Sequence, residues 1–334
     1  MCSSDLGACI GSSSAGARTF TATSSQGLAY MWEELHIAAG MRLPIVMANA
    51  NRALSAPINI HGDHSDVMGA RDTGWLLFFA ETAQEAYDNT LISIRVAEDA
   101  KVRLPVMTTL DGFITTHAME RCELMDDKTV AKFVGENKAI YPLLDTDNPV
   151  AHGSFADQDT YFELHKALRE AAVASAPIIK KIGDEWAKIS GRPFDFVDTF
   201  ACDDAEYIIV VLGSCAGNAR HVARELREQG IKAGVARIRV FRPFPAKELV
   251  EAMVSAKAVA VLDRSENFSG QFGPVGLEVA SALYSANQNI PLKNYFYGLG
   301  GHDVTNAQME QVYSDLQKLA AGKLDSDIAY LGCR

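Results

Sequence analysis

Along this chain the apolar positions follow two periods, one strand-like and one helix-like, and the chain switches repeatedly between them. Residues 18–23 alternate through Thr19, Phe20, Thr21, Ala22 and Thr23, which predicts a strand. Residues 27–39 place Leu28, Met31, Trp32, Leu35 and Ala39 at helical spacing, with Gly40 as the stop. Residues 43–50 are a continuous apolar run and read as a buried strand. Strand, helix and strand make one βαβ unit, whose crossover is expected to be right-handed. The small-residue stretch 7–17 fits either a helix or a loop.

Residues 75–80 predict another buried strand. Thr82-Ala83-Gln84-Glu85 reads as a capping box opening a helix to about Ala100, with Ala86, Thr90, Ile94 and Ala97 as its inner face. Residues 105–110 predict a strand ended by Asp111-Gly112. Between these elements, residues 51–74 are expected to form a long loop, a length that usually signals function. Pro142, Pro149 and Gly153 mark 123–159 as a connecting arm, followed by a long helix over 161–189 bent near Pro177 and closed by Gly191-Arg192-Pro193.

The second half repeats the grammar. Strands are expected at 207–213, 233–241, 258–263 and 294–297, with helices at 218–229, 246–256 and 276–284. A second capping box, Thr305-Asn306-Ala307-Gln308, opens a last helix to about Ala321. The fold class is therefore α/β with two doubly wound domains, 1–195 and 196–334.

Composition narrows the function. Of 334 residues 48% are hydrophobic and 22% charged, and the net charge is −11, with no block of Lys or Arg. Nucleic acid is not an expected partner. The six cysteines form no C-x-x-C pair and suit reduced thiols in a cytoplasmic protein, not zinc or an iron–sulfur cluster. No apolar run reaches the roughly 20 residues of a membrane span, and no signal peptide is evident.

Four groups of residues invite chemistry. Asn51-Arg52-Ala53-Leu54-Ser55-Ala56-Pro57 sets an arginine at the mouth of a strand; its fork suits a carboxylate, either Asp63 or Asp66 of the protein or one from a substrate. Gly213-Ser214-Cys215-Ala216-Gly217 fits a phosphate cradle or a plain tight turn, and Gly298-Leu299-Gly300-Gly301 shares that ambiguity. His61, Asp63, His64 and Asp66 are metal-capable types, but their spacing reads better as solvated loop polars. His117 and His302 read as surface or hydrogen-bonded residues.

Several motifs together resemble a known family. Gly16-Ala17-Arg18-Thr19-Phe20-Thr21-Ala22-Thr23-Ser24-Ser25-Gln26-Gly27-Leu28, Met41-Arg42-Leu43-Pro44-Ile45-Val46 and the Arg52 stretch are similar to the alpha subunit of pyruvate:ferredoxin oxidoreductases. So are Val240-Phe241-Arg242-Pro243-Phe244-Pro245, Asp263-Arg264-Ser265 and Gly298-Leu299-Gly300-Gly301-His302-Asp303-Val304-Thr305. The resemblance runs in order from about Gly7 over nearly the whole chain.

That resemblance implies a pyrimidine-type thiamine diphosphate domain followed by a transketolase C-terminal-like domain. It implies oxidative decarboxylation of pyruvate: the thiamine ylid attacks the 2-oxo acid, carbon dioxide leaves, electrons pass through iron–sulfur clusters to ferredoxin or flavodoxin, and coenzyme A takes the acetyl group. The resemblance further implies that thiamine diphosphate is shared with a partner, and that Mg2+ and the [4Fe-4S] clusters belong to beta, gamma and delta subunits or equivalent segments. By the same resemblance Arg52 would bind the pyruvate carboxylate; Ser24, Ser25 and Gln26 would sit at a strand end near the site, with no role carried onto them. The family's preceding strand–helix unit, with a substrate-contacting threonine and a glutamate that activates the cofactor ring, has no match in Met1-Cys2-Ser3-Ser4-Asp5-Leu6; Glu33 and Glu34 lie in the wrong motif. The expectation is a truncated N-terminus with no catalytic residue assigned in this chain. The alternatives are a non-catalytic scaffold or assembly subunit, or a subunit for another 2-oxo acid; a nucleotide-binding dehydrogenase rests on the glycine turns alone.

Overall fold

A computed structural model describes residues 2–325 and 327–333 of the chain. The N-terminal part runs α1 (Cys2–Ser14), β1 (Thr19–Thr23), α2 (Gln26–Tyr30), α3 (Trp32–Gly40), β2 (Ile45–Asn51), α4 (Ser65–Ala70), β3 (Leu76–Phe79), α5 (Ala83–Glu98), β4 (Val106–Asp111) and α6 (Ile114–His117). Three helices follow: α7 (Asp127–Val134), α8 (Tyr161–Ala174) and α9 (Ala176–Ser190). Then come β5 (Val197–Phe200), β6 (Tyr207–Val211), α10 (Cys215–Glu228), β7 (Ala233–Ile238), β8 (Val240–Arg242) and α11 (Ala246–Met253). The chain finishes with β9 (Ala258–Asp263), α12 (Pro274–Ser285), β10 (Leu292–Tyr297), α13 (Asn306–Ala320) and β11 (Ile328–Leu331).

Two α/β sheets result. One has the order β1-β2-β4-β3-β8, parallel except for β8; the other has the order β11-β10-β9-β6-β7-β5, parallel except for β5. Helices cover both faces of such sheets, so their central strands are apolar on both sides. All of β3, β7, β9 and β10 is buried. The two sheets share a core: Leu35, Ile45 and Met47 belong to one apolar cluster with Ile208, Val210 and Val261.

Several elements depart from the sequence expectation. Residues 7–17 are mostly helix, as the end of α1. The helix expected over 27–39 is interrupted at Met31, whose side chain is buried. The one expected over 161–189 breaks at Ser175, whose hydroxyl donates to the Ala172 carbonyl at 2.6 Å just before Pro177, which has no N–H to continue the ladder. The buried positions of α5 are Asp88, Asn89, Leu91, Ile92, Ser93, Val96 and Ala97; of the four expected there only Ala97 is among them. The helix is clamped between the sheet and α7 and α9, so Ile94 packs on a second, half-buried side. The loop 51–74 contains α4, and β5 and β11 were not anticipated. Of the first capping box, Thr82 Oγ does accept from the Glu85 N–H at 3.2 Å, but the Glu85 carboxylate receives the Glu81 N–H at 2.8 Å, one residue earlier than expected. The second box, at Thr305 and Gln308, is complete.

The largest departure joins the sheets. The strand expected over 233–241 is split at Arg239, and β8 crosses into the first sheet to pair antiparallel with β3. At the split, the Arg239 N–H donates to Phe196 O at 2.9 Å, and its carbonyl accepts from Phe79 N at 2.7 Å. Its guanidinium donates to Asn89 Oδ1 at 2.8 and 3.0 Å and lies 4.5 Å from the Phe194 ring centroid. Arg237, 1% exposed, forks onto both Glu85 oxygens at 2.8 Å and also reaches Asp198 at 3.2 Å. Burial alone would push the Glu85 carboxyl up, but the Arg239 and Arg237 charges hold it below its ordinary value.

A buried carboxylate stripped of its partner is far costlier than the pair is favourable. Arg237→Leu is therefore expected to destabilise the chain by about 3–5 kcal/mol, read as a lowered thermal unfolding midpoint. The double variant Arg237→Leu with Glu85→Leu should recover part of that loss, since Glu81 and Asp198 also lose Arg237 and Arg239 loses Glu85. A single variant as stable as the parent would refute the pairing as the anchor of this strand.

Candidate functional site

In a parallel sheet the loops after the carboxyl ends of the strands form the natural crevice for a ligand. Here both sheets bring those ends together. Strands β1, β2 and β4 run out at Thr23, Asn51 and Asp111, and β6, β9 and β10 at Val211, Asp263 and Tyr297. The following residues meet around one side chain. Asp111, 2% exposed, takes His64 Nε2 at 2.6 Å on one oxygen. The other oxygen accepts from Ser214 N at 2.8 Å and Ser214 Oγ at 2.5 Å, and pairs with Arg264 at 3.3 Å. Burial would raise this carboxyl, but His64 and Arg264 hold it well below the usual carboxylate range. A Cβ at Gly213, where φ is +64°, would stand 2.7 Å from the Asp111 oxygen, so this turn needs glycine on both counts.

A second buried carboxylate organises the loop after β2. Asp66 Oδ2 accepts from Ser25 N at 2.9 Å, Arg52 N at 3.1 Å and Asn49 Nδ2 at 3.1 Å, while Oδ1 accepts from Val67 N at 2.7 Å. Asp63 does similar work further on: Oδ1 accepts from Ser65 N and Oγ, and Oδ2 from Gly300 N at 3.0 Å. Asn59 Nδ2 donates to Gly300 O at 3.0 Å, and His64 N to Arg264 O at 2.8 Å. The loop is thus tied at its base to both sheets. Its tip, 55–58, stays exposed, and Ile58 is 86% exposed.

Arg52 leaves this loop half-buried. Its Nε donates to Ser24 Oγ at 2.7 Å, and Ser24 Oγ in turn donates to Ala50 O at 2.6 Å. The aliphatic stem crosses Gly112, where a Cβ would come 2.7 Å from Arg52 Cγ. Among the described residues the two terminal guanidinium nitrogens have no partner. Neither Asp63 nor Asp66 takes them as an ion pair; Asp66 binds the Arg52 backbone instead.

The sequence reading is corrected at one point and narrowed at two. Asp63, His64 and Asp66 are buried and hydrogen-bonded, not solvated; only His61 of that group is exposed. The turn at Gly213-Ser214 does hold an anion at the start of a helix, but the anion is the chain's own Asp111. The Gly298–Gly301 stretch packs on the Arg52 loop: a Cβ at Gly301 would lie 2.3 Å from His61 Cβ. His302 is exposed, and His117 is exposed with its ring stacked on Phe113 at 4.4 Å. Glu33 and Glu34 sit in the first turn of α3. Sequence reasoning missed Asp111 as a site member, and gave Ser24, at a strand end, and Ser214, in the glycine turn, no role of their own. The one signal for Asp111 was its position at the end of a strand.

The chain is similar to known proteins over nearly its whole length. A family model described as pyruvate flavodoxin/ferredoxin oxidoreductase, thiamine diphosphate-binding, matches residues 3–184, and one described as pyruvate:ferredoxin oxidoreductase core domain II matches 205–309. The pyruvate synthase subunit PorA of Thermotoga maritima is 45% identical over 99% of this chain and 84% of its own length. The PorA subunit of Pyrococcus furiosus is 42% identical with the same coverages. The ketoisovalerate oxidoreductase subunit VorA of Pyrococcus abyssi is 40% identical over 98% of this chain and 82% of its own. Among solved structures, a 2-oxoglutarate:ferredoxin oxidoreductase from Magnetococcus marinus shares the fold at a TM-score of 0.64 and 17% identity. That match covers 95% of this chain, which spans 56% of the longer one. A split gene transketolase shares the fold at a TM-score of 0.57 and 15% identity, over 97% of this chain and 83% of its own.

The site carries its own pH signature. Burial pushes the Asp66 carboxyl up to about 6 against its four donors, and likewise the Asp263 carboxyl to about 6. A folded-state value above the ordinary 3.8 means the folded chain keeps a proton that the unfolded chain has released. Stability from these two groups is greatest below about pH 4 and is lost as pH rises through about 6. Asp111 has the opposite sign: its stabilisation is present above about pH 4 and fades only in stronger acid. Asp66→Asn is expected to flatten the decline in thermal midpoint between pH 4 and 6, and to lower the midpoint by roughly 1–3 kcal/mol equivalent at pH 7 through lost acceptors. An unchanged slope in the variant would contradict the buried titration.

Proposed function

The chain belongs to the pyruvate flavodoxin/ferredoxin oxidoreductase family, and from that membership we propose that it acts as the alpha subunit of a pyruvate:ferredoxin oxidoreductase, converting pyruvate and coenzyme A to acetyl-CoA and carbon dioxide. The observation that carries the substrate reading is Arg52. It is a half-buried guanidinium at the meeting of strand ends, anchored by its backbone and Nε, with both terminal nitrogens free of protein partners among the described residues. A planar fork in that state suits a carboxylate, and a 2-oxo acid such as pyruvate presents one beside the reacting carbonyl.

The chain's residues fit thiamine diphosphate in part. Bound there, the cofactor supplies the nucleophilic carbon and the electron sink for decarboxylation. Asn51 Nδ2, buried next to Arg52 in the chain, has no partner and offers a further donor. The glycine turn at 213–214 does not fit a diphosphate, since Asp111 already fills it. Nor is a carboxylate beside Arg52 free to protonate the cofactor ring, because Asp63, Asp66 and Asp111 are all committed to internal donors. The diphosphate, its Mg2+ and the activating acid are accordingly assigned outside the residues described. The [4Fe-4S] clusters are assigned to partner subunits. Cys202 and Cys215 lie in different apolar clusters, and burial pushes their thiols up to about 11 and about 12.

Beta, gamma and delta subunits or their equivalents complete the assembly in this reading, with ferredoxin or flavodoxin as acceptor. Support comes from the frame of the Arg52 mouth. Three segments meet there through Gln26–Ser55, Gly112–Asn51 and His61–Phe113 contacts, and they leave Tyr30, Trp32, Ile58, Ile60 and Ile114 between 48% and 86% exposed. Exposed large apolar side chains around a polar site are what a partner surface would cover. We place the domain boundary between residues 195 and 196, just after Gly191 ends α9 in the left-handed conformation, with β8 lent to the first sheet. No described helix is long and apolar enough to cross a membrane, and the cytoplasmic assignment rests on the reduced-thiol composition.

The test is a complex reconstituted with its partner subunits and assayed for pyruvate-dependent, coenzyme A-dependent viologen reduction. Arg52→Ala is expected to raise the KM for pyruvate on the order of 100-fold, the loss of a charge-assisted fork, while the KM for coenzyme A stays put. An unchanged pyruvate KM would remove Arg52 from the substrate site. Faster turnover of ketoisovalerate than of pyruvate by the parent complex would move the substrate assignment to the branched 2-oxo acid.

A further inference from the structure

An arginine can grip a carboxylate along two edges. The side edge uses Nε and one terminal nitrogen; the end edge uses both terminal nitrogens. At Arg52 the choice has been made by the fold. The Ser24 hydroxyl has a single proton, and that proton is committed to the Ala50 carbonyl at 2.6 Å. Its lone pair therefore faces Arg52 and receives the Nε–H at 2.7 Å. Ser24 itself is fixed where β1 ends, one residue before Ser25, whose N–H is bound to Asp66. Asp66 also holds the Arg52 N–H, and Gly112 lies against the Arg52 stem. Backbone, stem and Nε are thus each constrained by a different segment, and only the end edge is left open.

We propose that Ser24 is a positioning residue that occupies Nε, closes the side edge of Arg52 and presents the two terminal nitrogens as an end-on fork for the carboxylate of the 2-oxo acid. This rests on the assignment of Arg52 to the substrate carboxylate. The hydroxyl does not touch substrate; it acts by fixing the rotation of the guanidinium plane, so the substrate's carbonyl is delivered in one orientation. Thr23, one residue earlier, cannot substitute, because successive side chains of a strand point to opposite faces.

The experiment uses the reconstituted complex and reads pyruvate KM against kcat. Ser24→Ala should raise the pyruvate KM on the order of tenfold with a smaller change in kcat and none in the KM for coenzyme A. Ser24→Thr, which keeps the hydroxyl, should restore the parent value. Lysine carries a methylene where arginine carries Nε and its rotating ammonium has no plane to fix, so in an Arg52→Lys complex the further change Ser24→Ala should leave the pyruvate KM where it is. Ser24→Cys, with similar size and a weak acceptor, should give an intermediate KM and serves if the alanine variant fails to assemble. If Arg52→Ala raises the pyruvate KM but Ser24→Ala does not, the positioning role is overturned while the substrate assignment stands. If the effects of Ser24→Ala and Arg52→Lys simply add, or Ser24→Thr does not rescue, Ser24 acts through the fold and the proposal fails. If Arg52→Ala itself leaves the pyruvate KM unchanged, it is the substrate assignment that falls.

Discussion

The Asp111 carboxylate is the point on which both sheets turn. It ends a strand of the first sheet, lies out of reach of water, and stays in the charged form through His64, Ser214 and Arg264. Two of those partners come from the second sheet and one from the loop that carries Arg52. An unpaired buried charge is expensive enough that the chain does not reach its native state without bringing all three together. The requirement sets where the carboxyl ends of the two sheets meet, and so where a crevice can form.

The anion site at the start of α10 shows how one residue decides between two chemistries. A strand–glycine–helix turn presents free N–H groups and a favourable dipole to whatever anion arrives. In a nucleotide-binding protein that anion is a phosphate. Here a neighbouring sheet inserts its own carboxylate, and the turn becomes a joint. The same physics that would make it a ligand site makes it a domain contact.

That is also why the sequence was informative about elements and less so about the site. The apolar runs of β2, β3, β6 and β9 and the capping box at Thr305 follow from local rules, because burial on both faces and a free helix terminus leave their mark on neighbouring residues. Arg52 was singled out because a family motif surrounds it. Asp63, His64 and Asp66 were not, since a polar loop residue looks solvated until its tertiary donors are known. Asp66 is bound by groups 14, 17 and 41 residues away in sequence. The split at Arg239 was hidden for a similar reason. A continuous apolar run does not reveal that its last residues cross to another sheet, where their partners Leu77, Phe78 and Phe79 lie far earlier in the chain.

The arrangement around Arg52 follows from keeping a cation free among carboxylates. The arginines nearest in role are spent: Arg264 on Asp111, Arg237 on Glu85, Arg239 on Asn89. Arg52 sits one step from Asp66 and could have been neutralised by it. It is not, because backbone N–H groups and Asn49 saturate that carboxylate, and because Ser24 draws Nε away from it. A neutral hydroxyl orients the guanidinium without discharging it, which a carboxylate in the same place would do. The open fork is therefore a product of saturated neighbours, and the groups that create it lie on three segments of chain brought together by two buried acids.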